Sequence, residues 1–145
     1  MLVPRHGWVV LCDGAKALLM RNDGSSSQPR LVLADTFSQR HPATHDLGTD
    51  RPGRVYQSHG AARSATEGTD LHDAGEVAFL AKVADTLDRA VREHGVTNLL
   101  LVAPPRALGV LRHQLTPAVQ AAVIGDIAKD LVRLPTSEIE QHLAA

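Results

Sequence analysis

The stretch TNLLLVA at residues 97–103 constrains this chain most, because its unbroken apolar run leaves neither face of a strand polar. Such a strand is stable only where helices cover both faces of its sheet, as in α/β proteins. Pro104 and Pro105 stop the run, and Pro105 suits the first turn of a following helix, where a missing N–H costs nothing.

The segments around it supply the rest of a sheet. GWVVLCD (7–13) and AKALLMRN (15–22) are strand-like runs joined at Asp13-Gly14. That dipeptide predicts a type I′ hairpin turn, in which both central residues take positive φ. NDGSSSQP (22–29) is rich in turn formers, and RLVLADTF (30–37) is the third run, giving an antiparallel three-stranded meander. From about 38 to 72 the period disappears among Pro42, Gly48, Pro52, Gly53, Gly60 and Gly68, which predicts one long loop.

Asp73, with Glu76 three residues on, then signals a helix start. Val77, Leu80, Ala84, Leu87 and Val91 recur at helical spacing, and Gly95 ends the segment. After the apolar run, Leu108, Leu111 and Leu115 predict a second helix, in which Gly109 implies either close packing or simple tolerance. Thr116-Pro117 opens a short helical turn, AVIGDI (122–127) is a fifth strand, and Thr136 caps a last helix carrying Ile139 and Leu143. The order β-β-β-α-β-α-β-α predicts one α/β domain over residues 1–145. It is a mixed sheet, the meander plus two further strands, with helices on its faces. This order matches the ribonuclease H-like architecture, which by itself assigns no function.

With 15 Lys and Arg against 16 Asp and Glu, the chain has no whole-molecule basic field, so any anion site must be local. Cys12 is the sole cysteine and reads as a small core residue. Neither a leader-like start nor an apolar stretch of about 20 residues is visible, which predicts a soluble, cytoplasmic protein without membrane contact.

Within the aperiodic segment, Asp50-Arg51-Pro52-Gly53-Arg54 has Pro and Gly at the central positions of a type II turn. Its two arginines would stand side by side, able to clamp a phosphate or to pair internally with Asp46 or Asp50. Arg63 adds to a local positive excess. Arg106 lies at a helix start after the apolar run, and Lys129 and Asp130 follow the fifth strand, where α/β sheets gather ligands. Asp13, Asp130 and Arg112 are candidates for a polar cleft. His41, His45, His59 and His72 raise a zinc reading, but no cysteine joins them and Pro42 breaks the spacing, so no metal or other cofactor is expected.

The blocks WVVLCDGAKALLM, DRPGR, LLLVAPPRALGVLR and GDIAKDLVRLPTSEIEQHL occur in the order seen in the bacterial host attachment protein family, described as proteins required for attachment to host cells. The chain resembles that family over nearly its whole length. The family is similar to the middle domain of archaeal and eukaryotic peptide-chain release factors and of ribosome-rescue proteins. The resemblance therefore implies a ribonuclease H-like fold and a place at the translation machinery. Release-factor domains that trigger peptide release carry Gly-Gly-Gln; the nearest sequence here is Gly60-Ala61-Ala62, so that chemistry is not implied.

Three functions follow as expectations. The first is a non-catalytic domain contacting RNA or the ribosome through Arg51, Arg54, Arg63, Arg106 and Lys129. The second is a regulatory or structural protein that serves host-cell attachment through protein partners. The third is a metal-dependent nuclease or hydrolase using Asp126. The oligomeric state stays open, a homodimer included.

Overall fold

The computed structural model describes residues 3–38 and 61–144, with backbone alone for 61–73. Five strands form one sheet: β1 (Trp8–Cys12), β2 (Lys16–Asn22), β3 (Leu31–Ser38), β4 (Leu99–Ala103) and β5 (Val123–Ala128). Their spatial order is β3-β2-β1-β4-β5. The first three pair antiparallel, as the meander predicts, whereas β1 with β4 and β4 with β5 are parallel. Four helices are described: α1 (Ala61–His94), α2 (Pro105–Arg112), α3 (Pro117–Ala122) and α4 (Thr136–Leu143).

The central position of β4 explains its composition. All five of its residues are buried. Leu99, Leu101 and Ala103 face one core with Val10, Cys12, Ala17 and Leu19, under α1, α2 and α3. Leu100 and Val102 face the other with Val9, Leu11 and Met20, under Leu131, Val132 and α4. The alternation of period two thus splits one apolar run between two cores. Each fully buried Leu or Val contributes about 1.5–3 kcal/mol.

Leu80, Ala84 and Leu87 are buried as the helical spacing predicts, and Phe79, Val83 and Ala90 join them. Val91 packs at the edge of that core, but Val77 is 45% exposed and takes no part in it. Gly95, at φ 64°, ends α1 and its N–H donates to the Val91 carbonyl at 3.1 Å.

Several local expectations fail for identifiable reasons. α1 starts at Ala61, not at Asp73, so residues 61–72 of the expected loop are helical and Arg63 lies on a helix, while 39–60 lie outside the described residues. The segment AARSATE favours helix, and Gly68 is tolerated within it at a cost of about 1 kcal/mol. Gly14 does not take a positive φ. The hairpin closes instead on the Asp13 carboxylate, whose Oδ1 accepts from the N–H groups of Ala15 and Lys16 at 2.8 Å each. Thr136 is the first residue of α4 rather than its cap, which is Pro135 and has no capping side chain. Thr116 does cap α3, accepting from the Val119 N–H at 3.3 Å.

Candidate functional site

Strand direction decides what the fold brings together. β1, β4 and β5 all point the same way, and β3 ends beside the start of β2, since Ser38 pairs with Lys16. The carboxyl ends of four strands therefore share one edge. Asp13 follows β1, Arg106 is the second residue of the helix that leaves β4, and Lys129, Asp130 and Arg133 follow β5.

α1 runs past this edge. A Cβ on Gly14 would stand 2.7 Å from Glu76, so α1 crosses the hairpin turn there. The helix then reaches the opposite end of the sheet, where His94 stacks on Trp8. Residues 61–75 of α1 precede the Glu76 contact, about 22 Å of helix at 1.5 Å per residue.

Arg106, Lys129 and Asp130 are exposed on this rim. Asp13 is half-buried: Oδ1 holds the turn, while Oδ2 lies 3.5 Å from Arg133 Nε. Arg133 is a rim residue that the sequence reading missed, because nothing in LVRLP marks it apart from its charge. Arg112 does not belong to a cleft with Asp13 and Asp130. It pairs instead with Asp126 on β5 at 2.8 Å, beside a hollow of about 260 Å³ floored by Leu101 and Leu115. The helical register of α2 turns Arg112 towards the β5 edge and away from the strand ends. The same ion pair occupies Asp126, the carboxylate of the nuclease reading. Among the described residues, no three His, Cys, Asp or Glu side chains are placed to hold a metal ion.

Gly109 settles one alternative: a Cβ there would meet nothing within 4 Å, so it is tolerated rather than required. Arg51, Arg54, Asp46 and Asp50 lie outside the described residues, as do His41, His45 and His59 and the side chains of Arg63 and His72. Among the described residues, no helix is long and apolar enough to cross a membrane.

Among the described residues, four ionisable groups are displaced from their ordinary range, Arg21 upward through its hydrogen bond to Asp23. Burial pushes the Cys12 thiol up to about 12, and the neighbouring Asp13 charge adds to this, so the thiol is no nucleophile. Hydrogen bonding from Arg21 holds Asp23 below the usual carboxylate range. Asp88 is also held low, first by the Thr116 hydroxyl, which donates at 2.7 Å, and then by Arg92. Thr116 thereby caps α3 and ties it to α1 with one side chain.

A family model described as "Protein required for attachment to host cells" matches residues 8–143, from the first residue of β1 to the last of α4. The chain belongs to the host attachment family. No curated protein is significantly similar to it. The match spans both the antiparallel meander and the parallel half of the sheet. The family's description names a part in attachment to host cells.

Proposed function

We propose that this member of the host attachment family is a non-catalytic binding domain whose strand-end rim takes a polyanion. The ligand of this reading is RNA of the translation machinery, and the contacts are Arg51, Arg54, Arg63, Arg106 and Lys129. One observation supports it above others. Segment 39–60 leaves β3 at the edge where Arg106 and Lys129 stand, and it leads into the part of α1 that precedes the Glu76 contact and carries Arg63. The described chain on either side of that segment thus touches the edge where Arg106 and Lys129 stand, β3 by its last residue and α1 at Glu76.

Guanidinium groups suit phosphate because their planar fork donates two hydrogen bonds at once. Each neutralised phosphate also makes binding sensitive to salt. The ribonuclease H-like arrangement, the likeness to release-factor middle domains and a cytoplasmic place of action belong to this reading. Co-sedimentation with ribosomes at two salt concentrations tests it. The wild type should pellet at low salt and be released at high salt, and Arg51→Ala with Arg54→Ala should flatten that dependence. Absence of retention at low salt ends the reading.

The family's description favours a second reading, in which the same rim holds a protein partner of the attachment pathway. Deleting residues 39–60 would then abolish partner capture, and nuclease treatment of the extract would leave capture intact.

A further inference from the structure

At the opposite end of the sheet, Trp8 opens β1 and its indole stacks on His94, the last residue of α1, with ring centroids 5.8 Å apart and planes 23° from parallel. The stacked pair lines two hollows. The smaller, about 190 Å³, also takes in Asp35, Thr86, Arg89 and Glu93. The larger, about 490 Å³, is bounded by Arg5, His6, Arg21 and the loop 95–98. That volume falls in the range of small-molecule sites, about 300–1,000 Å³.

The larger hollow is built from firmly held backbone. The Trp8 N–H donates to the Asn98 carbonyl at 2.8 Å, which fixes the loop against the strand. His6 has φ 70°, the only positive value at a non-glycine residue among those described. Its N–H donates to the Asn22 carbonyl at 2.7 Å, and the Gly7 N–H donates to the Pro4 carbonyl at 2.9 Å. A glycine would take this conformation at lower cost, so the imidazole at the lip is what the residue adds.

The charged residues lining the larger hollow are basic, with the Asp23 carboxylate behind them against Arg21 and within electrostatic reach of His6. No acidic side chain lines the hollow itself. Arg21 is already held by Asp23, with Nε and a terminal nitrogen at 2.8 and 3.2 Å. Arg5 is exposed, and its side chain has no hydrogen bond or ion pair among the described residues. The closing turn of α1 presents its negative dipole end near His94. An anion is therefore favoured on the Arg5–His6 side, and an uncharged ring on the Trp8 side.

We propose that this hollow binds a small ligand that joins a flat ring to a phosphate, in chemical class a nucleoside monophosphate. The ring lies against the Trp8–His94 stack and the phosphate meets Arg5 and His6. Thr97 and Asn98 offer hydrogen-bonding groups to the ring's edge. This site stands at the far end of the sheet from the rim and does not depend on the rim's ligand.

Trp8 is the sole tryptophan, so its fluorescence reports on this site directly. The wild-type protein is titrated with adenosine monophosphate, uridine monophosphate, adenosine and ribose 5-phosphate. Both monophosphates should quench Trp8 saturably, while adenosine and ribose 5-phosphate should each bind roughly tenfold more weakly, one lacking the charge-assisted contacts and the other the stacked ring. Arg5→Ala with His6→Gly, which keeps the backbone conformation, should weaken the monophosphates by a similar factor. Should that variant fail to fold, Arg5→Glu alone reads the same charge. Arg133→Ala, at the opposite end of the sheet, should leave the quenching unchanged, which separates this site from the rim. Absence of saturable quenching by either monophosphate, or equal binding of adenosine and its monophosphate, overturns the proposal.

Discussion

The two ends of the sheet are held by different means. At the amino end, backbone and one buried amide do the work. Asn22 is fully buried, and its Oδ1 accepts from the N–H groups of Gly24 and Arg30 at 2.8 and 2.9 Å. Its Nδ2 donates to the carbonyls of Val3 at 2.9 Å and Ser25 at 3.2 Å. A Cβ on Gly24 would come within 2.3 Å of the Gln28 carbonyl oxygen, so the turn is closed to any larger residue. At the carboxyl end, Asp13 holds the turn through a half-buried carboxylate, and Arg106, Lys129 and Asp130 reach solvent. An end built from backbone gives a hollow with fixed walls. An end finished by exposed charges gives a surface that a partner can reach and sequence change can tune.

The sharpest way to break this comparison is Asn22→Ala. It strands at least two N–H donors and two carbonyls in a buried turn. Each orphaned group costs about 1–3 kcal/mol, and partial rehydration recovers some of that, so a loss on the order of 3 kcal/mol is expected. The denaturant midpoint measures it. A loss below about 1 kcal/mol would mean that the amino end is no better anchored than the rim. Asp13→Ala is the matching change at the carboxyl end. It removes two hydrogen bonds from a turn open to water, with an expected loss of about 1 kcal/mol by the same measurement.

The contrast also explains what was legible in the sequence. Strands were legible because TNLLLVA, WVVLC and KALLMRN carry their burial in their own composition. The parallel addition of β4 and β5 followed from the order of elements. The start of α1 was not legible, because Asp73 and Glu76 make a good local cap that the continuing helix overrides. The rim was half legible. Lys129 and Arg106 are marked by their place after strands, whereas Arg133 and the pairing of Arg112 with Asp126 depend on how helices and strands turn side chains in space. The hollow at the amino end was not legible at all. Arg5, His6 and Trp8 are near neighbours, but His94 reaches them only because α1 spans the whole sheet. A positive φ at His6 leaves no mark in composition.

Gly109→Ala probes α2, which leaves the rim with a glycine in its middle and open space where a Cβ would go. Alanine should stabilise the protein by about 0.5–1 kcal/mol, since the unfolded chain loses freedom and nothing clashes. A thermal melt should move upward. A drop would mean that α2 packs more tightly at this point than its surroundings show.

The smallest effect is expected from Arg133→Ala, and it divides the two roles of Asp13. The Arg133 side chain is 65% exposed and its nitrogen stands 3.5 Å from Asp13 Oδ2. Pairs of this kind contribute about 0.2–1 kcal/mol and weaken with salt. The turn oxygen of Asp13 is the other one, so removing Arg133 leaves both hydrogen bonds to Ala15 and Lys16 in place. Arg133→Ala should therefore cost less than about 0.5 kcal/mol, while Asp13→Ala costs at least twice as much. In the double variant the loss should equal that of Asp13→Ala alone, because the ion pair is already gone. A double loss equal to the sum of the single losses would mean that Arg133 stabilises the rim through something other than Asp13.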